Sequence, residues 1–130
     1  MSRSVQALKN GDAEGFIKNM QSLFADYPYD LVRNLENHYQ NVVYLTIKLM
    51  SVYVVDAEYR TSNGRIDLLV KTDKYIYVME FKFNGSAEDA IKQIESKEYA
   101  LPFVMDSREV VKIGVNFSKQ TRNIENWIIK

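Results

Sequence analysis

The fold of this 130-residue chain is decided by the stretch Tyr75-Ile76-Tyr77-Val78-Met79-Glu80-Phe81-Lys82-Phe83. Successive side chains of a β-strand point to opposite faces. The odd-numbered residues therefore form one face, and all of them are large and apolar. The other face begins with Ile76 and Val78 and ends with Glu80 and Lys82. The stretch predicts a buried strand that finishes with a carboxylate and an ammonium group side by side.

A second predicted strand, 64–71, carries Asp67 within an apolar run. The Asn-Gly pair at 63–64 favours a hairpin with a preceding strand at 52–60. If residues 63 and 64 are the two turn residues, Arg60 lies opposite Asp67, and Glu58 lies opposite Leu69. A cross-strand ion pair between Arg60 and Asp67, worth under about 1 kcal/mol, is then one interpretation of the aspartate. The other interpretation is that Asp67 belongs to a functional site.

The remaining elements complete an α/β domain with a mixed sheet. Helices are predicted at 2–10, after Asp12, at 31–50 and, capped by Ser86, at 87–99. The helix after Asp12 should bury one face formed by Phe16, Ile17, Met20, Leu23 and Phe24. Residues 110–117 are predicted to form a fourth strand, and the tail 121–130 a last edge strand.

Composition restricts the classes of function. There are 17 basic and 17 acidic residues, one histidine and no cysteine, so disulfides and thiolate metal sites are excluded. No signal peptide and no apolar run long enough to span a bilayer is present, which predicts a soluble cytoplasmic protein. Dedicated nucleic-acid binders are usually basic. Zero net charge therefore suggests that another component delivers any nucleic-acid substrate.

Three acids and one lysine fall on adjacent predicted elements. Glu36 shares a helix face with the apolar residues at 39, 43, 47 and 50, where an unpaired charge is costly to bury. Together with Asp67, Glu80 and Lys82 it favours metal-dependent phosphodiester hydrolysis. The alternatives are that Glu80 and Lys82 belong to a solvated strand face, and that Glu36 points to solvent near the start of its helix.

The expected chemistry uses hard oxygen ligands. The carboxylates of Asp67 and Glu80, with the backbone carbonyl of Phe81, suit Mg²⁺ or Mn²⁺. Lys82 would orient or activate the attacking water and stabilise developing negative charge. Glu36 would hold a water on the ion or bind a second ion. His38 is interpreted as a surface or packing residue.

At these residues the sequence resembles the PD-(D/E)XK nuclease superfamily, whose restriction-endonuclease-like core has the order αβββαβ. It is similar to the nuclease-like domain found C-terminal to an ATPase-like domain in many bacterial proteins. The resemblance implies catalytic roles for Asp67, Glu80 and Lys82, a metal or catalytic role for Glu36, and a site-ordering role for Gln93. The stretches that carry it are 36–40, 63–67, 79–82, 90–94 and 114–118.

Two departures from the family pattern are present. Ile66 stands where the superfamily name has proline, which leaves the chemistry intact. Related nucleases often have a tyrosine four residues after the glutamine, but that position is Lys97 here and the nearest tyrosine is Tyr99. The alternative interpretation of Gln93 is a solvated residue on an amphipathic helix.

The resemblance also divides the chain into a helical connector at 1–29 and a nuclease-like domain at 30–130. It predicts that the chain is the C-terminal part of a longer protein with an ATPase-like domain. The predicted function is a Mg²⁺- or Mn²⁺-dependent nuclease acting on DNA, or on RNA. The alternatives are a catalytically inactive binding module on the same fold, and a structural domain that self-associates, as a homodimer for example, through Tyr75 and Tyr77.

Overall fold

The structure is a computed structural model that describes residues 3–26, 54–61, 64–121 and 123–130, with the backbone alone for 54–61. The predicted helix at 31–50, with Glu36 and His38, lies outside the described residues. The first helix of the predicted αβββαβ order therefore falls there too. The remaining elements of that order are all described.

The described chain forms helices and one mixed sheet. The elements are α1 (Arg3–Lys9), α2 (Ala13–Ala25), β1 (Val54–Thr61), β2 (Gly64–Lys71), β3 (Tyr75–Phe83), α3 (Ala87–Ser96), a 3₁₀ turn (Leu101–Phe103), β4 (Glu109–Ser118) and β5 (Asn123–Ile129). The five strands are arranged in the order β1-β2-β3-β4-β5. Only β3 and β4 are parallel, and the other three pairs are antiparallel. None of the helices described here is long and apolar enough to cross a membrane.

The two faces of the sheet bury separate cores. On one face, Tyr77 and Met79 of β3 pack with side chains of α1 and α2. On the other, Ile76 and Val78 pack with side chains of α3. The alternation predicted for the strand at 75–83 is confirmed. It also follows that Glu80 and Lys82, which continue the even-numbered series, lie on the face that α3 covers.

The N-terminal helices belong to the first of these cores. Asp12 caps α2, as predicted, by accepting a hydrogen bond from the Gly15 N–H at 2.9 Å. Four of the five predicted core residues of α2 are buried, whereas Leu23 keeps 38% of its surface exposed. The Tyr77 hydroxyl donates a hydrogen bond to the Leu8 carbonyl, which ties α1 to the centre of the sheet. The helices at 3–25 and the sheet therefore share one core.

The β1–β2 hairpin differs from its predicted register by two residues. Thr61 pairs with Gly64, and Arg60 pairs with Arg65. The predicted pairing of Arg60 with Asp67 is therefore wrong. The position opposite Asp67 is that of Glu58, between the pairs 57–68 and 59–66. Gly64 is part of the ladder rather than the turn.

Gly64 has a conformational reason to be glycine in the ladder. Its φ is +145°, and a Cβ atom there would lie 3.0 Å from the Tyr99 hydroxyl. The hairpin end is thus packed directly against the chain that follows α3. The Asn-Gly signal identified the hairpin but not its register, in which Gly64 lies in the ladder and close to Tyr99.

α3 lies unusually close to the sheet. It connects the parallel strands β3 and β4, and antiparallel hairpin turns cannot make such a connection. A Cβ atom at Gly114 of β4 would lie 2.8 Å from the Ala87 carbonyl oxygen and 2.9 Å from Cγ1 of Ile91. Gly114 is the register partner of Glu80. The absence of a side chain at 114 therefore lets α3 lie next to Glu80.

Substitution of Gly114 by alanine should force α3 away from the sheet. We expect Gly114→Ala to lower the free energy of unfolding by about 1–3 kcal/mol, the usual cost of overpacking, measured by urea denaturation. Gly85→Ala is the matched control, because the nearest contact of a Cβ atom there is 3.4 Å. The control should stay within about 0.5 kcal/mol of the wild type. Equal stabilities of the two variants would contradict the close approach.

Candidate active site

Asp67 lies where β2 and β3 separate. Their pairing runs from Lys71 and Ile76 to Leu68 and Met79 and ends there. Beyond that point the Phe81 N–H donates a hydrogen bond to Oδ2 of Asp67 at 3.0 Å. The aspartate side chain thus replaces a backbone carbonyl of β2 as the hydrogen-bond acceptor where the backbone pairing has ended. This contact fixes its carboxylate between the two strands.

Glu80 is the buried acid of the site, with 3% of its surface exposed. Its Oε1 accepts a hydrogen bond from Nε2 of Gln93 at 2.7 Å. Its Oε2 is the single buried side-chain nitrogen or oxygen atom, among the residues the structure describes, that has no hydrogen-bond partner. A buried oxygen without a partner carries the full cost of its lost hydration. Among the described residues, the folded protein keeps this unfavourable arrangement only at Oε2 of Glu80.

Gln93 connects the side chains of Glu80 and Lys82 on β3. Its Nε2 donates to Glu80, and its Oε1 accepts from Nζ of Lys82 at 2.5 Å. An amide is suited to this position because it offers a donor and an acceptor on adjacent atoms. The structure therefore brings together Asp67, Glu80, Lys82 and Gln93, four of the five predicted catalytic residues. The fifth, Glu36, lies outside the described residues.

Tyr99 also lies at this site, next to Gln93, although the sequence pattern did not assign it a role. α3 ends earlier than predicted, at Ser96, because Glu98 adopts a left-handed φ of 52°. The N–H groups of Glu98 and Tyr99 donate back to the carbonyls of Glu95 and Ile94, which is a Schellman motif. This turn buries Tyr99 and places its hydroxyl 3.5 Å from Nε2 of Gln93.

A sequence signal for Tyr99 did exist. It is the tyrosine nearest to Gln93 on the C-terminal side, six residues away. Regular helical spacing places residue 97, not 99, on the face of Gln93. The left-handed residue at 98 changes that geometry. Lys97, which occupies the usual family position, is the C-cap residue of α3 and is exposed.

The environment of Glu80 favours its neutral form. Burial raises the pKa of Glu80 from its ordinary value of 4.5 to about 8. The nearby negative charge of Asp67 adds to the increase, and so does a hydrogen bond between the two carboxyl groups in the neutral form of Glu80. The positive charge of Lys82 opposes the shift but does not cancel it. Two carboxylates close together disfavour double ionisation unless a cation compensates their charge.

The donor set fits a hard divalent cation. Two carboxylates converge, and one oxygen of Glu80 has no hydrogen-bond partner. Carboxylate oxygens are the ligands that Mg²⁺ and Mn²⁺ prefer. No group of three or more His, Cys, Asp or Glu side chains placed to hold a metal ion occurs within the part of the chain that the structure describes. A third ligand of these residue types would therefore have to come from outside those residues, where Glu36 lies.

Comparison with known proteins agrees with this geometry. The family model of the PD-(D/E)XK nuclease superfamily matches residues 34–127, and the chain belongs to this superfamily. The predicted family and its restriction-endonuclease-like α/β fold are thereby confirmed. Proteins of this superfamily generally use divalent metal ions, and membership implies nucleic-acid binding.

One curated relative is informative about chain length. A protein of Azotobacter chroococcum mcd 1, described as "Uncharacterized protein in vnfD 5'region", is 29% identical over 126 residues. The match covers 92% of this chain but 24% of that relative. The chain thus spans about a quarter of the relative's length. No solved structure matches the chain at a significant level.

The raised pKa of Glu80 should make stability depend on pH. Between about 4.5 and about 8 the unfolded chain has released this proton while the folded protein retains it. The free energy of unfolding should therefore fall as pH rises through this window, by at most about 1.4 kcal/mol per pH unit. Urea denaturation between pH 5 and pH 8 (roughly the window in which linkage acts), with a chelator present, measures the effect.

Glu80→Gln is the matched variant for this measurement. It keeps the shape and the acceptor for Gln93 but cannot titrate. Its stability should lack the component that decreases with pH, so the difference between variant and wild type should grow as pH rises. Parallel pH profiles for the two proteins would show that Glu80 has an ordinary pKa.

Proposed function

We propose that the chain is a metal-dependent nuclease domain that hydrolyses phosphodiester bonds of DNA. The observation that carries the proposal is the buried Glu80, with an unpartnered Oε2, linked through Gln93 to Lys82. A purely structural ion pair between Glu80 and Lys82 would be expected to make direct contact and leave no buried oxygen unsatisfied. Here an amide separates the two groups.

We propose Asp67, Glu80 and the backbone carbonyl of Phe81 as the ligands of Mg²⁺ or Mn²⁺. The N–H and C=O groups of one strand residue point to the same edge of the strand. Since the Phe81 N–H is bonded to Asp67, its carbonyl is directed to the same side. When bound, a divalent ion supplies positive charge against the scissile phosphate and lowers the pKa of a coordinated water. Glu36 is retained in this proposal as an additional acidic ligand.

Lys82 is the residue we assign to the reacting phosphate and the attacking water. It lies on the same face of β3 as Glu80, two residues further along the strand, so the Cα atoms of the two residues are about 6–7 Å apart. Its ammonium group would stabilise the negative charge that develops on the phosphate. Gln93 would keep this group oriented by accepting a hydrogen bond from Nζ at its Oε1, as it does in the structure.

The length of the relative supports a role within a larger protein. The chain corresponds to about a quarter of that protein. We propose that an ATPase-like domain precedes it and helps to deliver nucleic acid, which would compensate for a net charge of zero.

Cleavage assays test the proposal. Wild-type protein is incubated with single-stranded, duplex and branched DNA and with RNA, in Mn²⁺ or Mg²⁺. We expect cleavage of DNA, and we expect Lys82→Ala and Glu80→Ala each to reduce the rate at least about 100-fold, as for loss of an electrostatic catalytic group. Circular dichroism should show that the variants remain folded.

Lys92→Ala provides the matched control for Lys82→Ala. Lys92 adjoins Gln93 in sequence but is exposed on α3. Its loss should change the rate less than about twofold, since exposed residues away from special features have small effects. Cleavage by Lys82→Ala at the wild-type rate would remove Lys82 from the mechanism. Nucleic-acid binding without cleavage in any metal ion would instead support the binding module.

A further inference from the structure

Asn116 is a buried polar residue on the active-site face of β4. It is the register partner of Lys82 on the neighbouring parallel strand, as Gly114 is of Glu80. The odd-numbered residues of β4 enter the core of the opposite face, so Asn116 lies on the side of α3. Only 2% of its surface is exposed. The strand thus places a neutral amide next to Lys82.

One half of this amide has a structural partner. Oδ1 of Asn116 accepts a hydrogen bond from the Gly85 N–H at 2.9 Å. Gly85 also lies over Lys82, because a Cβ atom at Gly85 would be 3.4 Å from Cβ of Lys82. The bond fixes the amide plane and thereby determines which way its nitrogen is directed. Nδ2 donates to no acceptor among the residues that the structure describes. Since Oε2 of Glu80 is the single buried side-chain nitrogen or oxygen atom without a partner among those residues, Nδ2 belongs to the small part of Asn116 that solvent reaches.

Holding the loop at 84–86 does not by itself require an asparagine at 116. Asn84 already anchors the loop to β4, because its backbone N–H donates a hydrogen bond to the Phe117 carbonyl at 2.8 Å. Oδ1 of Asn84 also accepts from the Lys119 N–H at 2.9 Å. Any acceptor side chain at 116 could bind the Gly85 N–H. What the asparagine adds is a pair of N–H donors, on the residue that is the register partner of Lys82.

We propose that Asn116 is a substrate-binding residue, whose Nδ2 donates a hydrogen bond to a non-bridging oxygen of the phosphate held at Lys82. The inference rests on the proposed nuclease function and extends it to the strand next to the catalytic one. Asparagine is among the side chains that bind phosphate oxygens in nucleic-acid complexes. A neutral donor also adds contacts to the phosphate without repelling a metal ion at Asp67 and Glu80.

Asn116→Asp separates the two roles of the side chain. It keeps an acceptor for the Gly85 N–H but replaces the donors by a carboxylate oxygen. We expect the KM for DNA to rise about 10- to 100-fold, the usual effect of losing a hydrogen bond to a charged group. kcat should stay within about threefold, because the contact is made in the ground state and the transition state alike.

Asn84→Asp is the matched control. It makes the same chemical change at an amide whose Oδ1 also accepts a backbone N–H, and aspartate tolerates the φ of 53° at this position. Its KM should stay within about threefold of the wild type. An equal rise in KM for both variants would mean that general charge repulsion causes the effect, and would overturn the proposal. A wild-type KM for Asn116→Asp would overturn it as well.

A measurement on the wild-type protein avoids any dependence on the folding of the variant. The ¹⁵N-labelled side-chain amide of Asn116 is followed by NMR during titration with a short single-stranded DNA in the absence of divalent ions. A saturable shift of this signal, without a comparable shift at Asn84, supports the contact. No shift at saturating DNA overturns it.

The outcomes also separate this inference from the nuclease proposal. If DNA shifts the Asn116 signal but is not cut in any metal ion, the binding contact stands and the catalytic function fails. If DNA is cut but Asn116→Asp behaves as the wild type, the nuclease proposal stands and the contact fails. If the protein neither binds nor cuts nucleic acid, both are overturned.

Discussion

The burial of one carboxyl group, that of Glu80, is the constraint on which the site depends. Taking an acid out of water favours its neutral form, and the adjacent Asp67 strengthens the effect, so its pKa rises to about 8. The fold compensates only in part, through the hydrogen bond that Gln93 donates to Oε1 and the positive charge of Lys82. In the proposed nuclease, a cation bound at this site would recover electrostatic free energy that is lost when the acid is buried.

Two features of the backbone bring the partners to this acid. The separation of β2 from β3 lets the side chain of Asp67 bond to the Phe81 N–H. The glycine at 114 lets α3 approach the sheet closely enough for Gln93 to reach both Glu80 and Lys82. The opposite face of the sheet is filled by α1 and α2 with large apolar side chains. One face therefore serves mainly for stability, and the other also carries the polar groups, at the end of β3.

Several elements were accessible from sequence because their signals are local. The alternation along 75–83 identified the central strand and its site face, and the caps at Asp12 and Ser86 located two helix starts. The hairpin register was not accessible, because a turn signal does not fix which residues pair; Gly64 lies in the ladder and close to Tyr99, 35 positions further along the chain. The end of α3 was not accessible either. A left-handed Glu98 in place of the usual glycine leaves no clear signal.

The sequence by itself determined the class of this protein: an α/β domain of the PD-(D/E)XK nuclease superfamily, with Asp67, Glu80 and Lys82 on strands at familiar spacings. Strand periodicity and helix caps act over a few residues, so the order of amino acids is sufficient to specify them. Only the tertiary structure decided that Gln93 lies between Glu80 and Lys82, that Tyr99 reaches Gln93, and that Asn116 lies beside Lys82. These relations depend on strand pairing and on the distance between helix and sheet, which bring together residues that are far apart in the sequence.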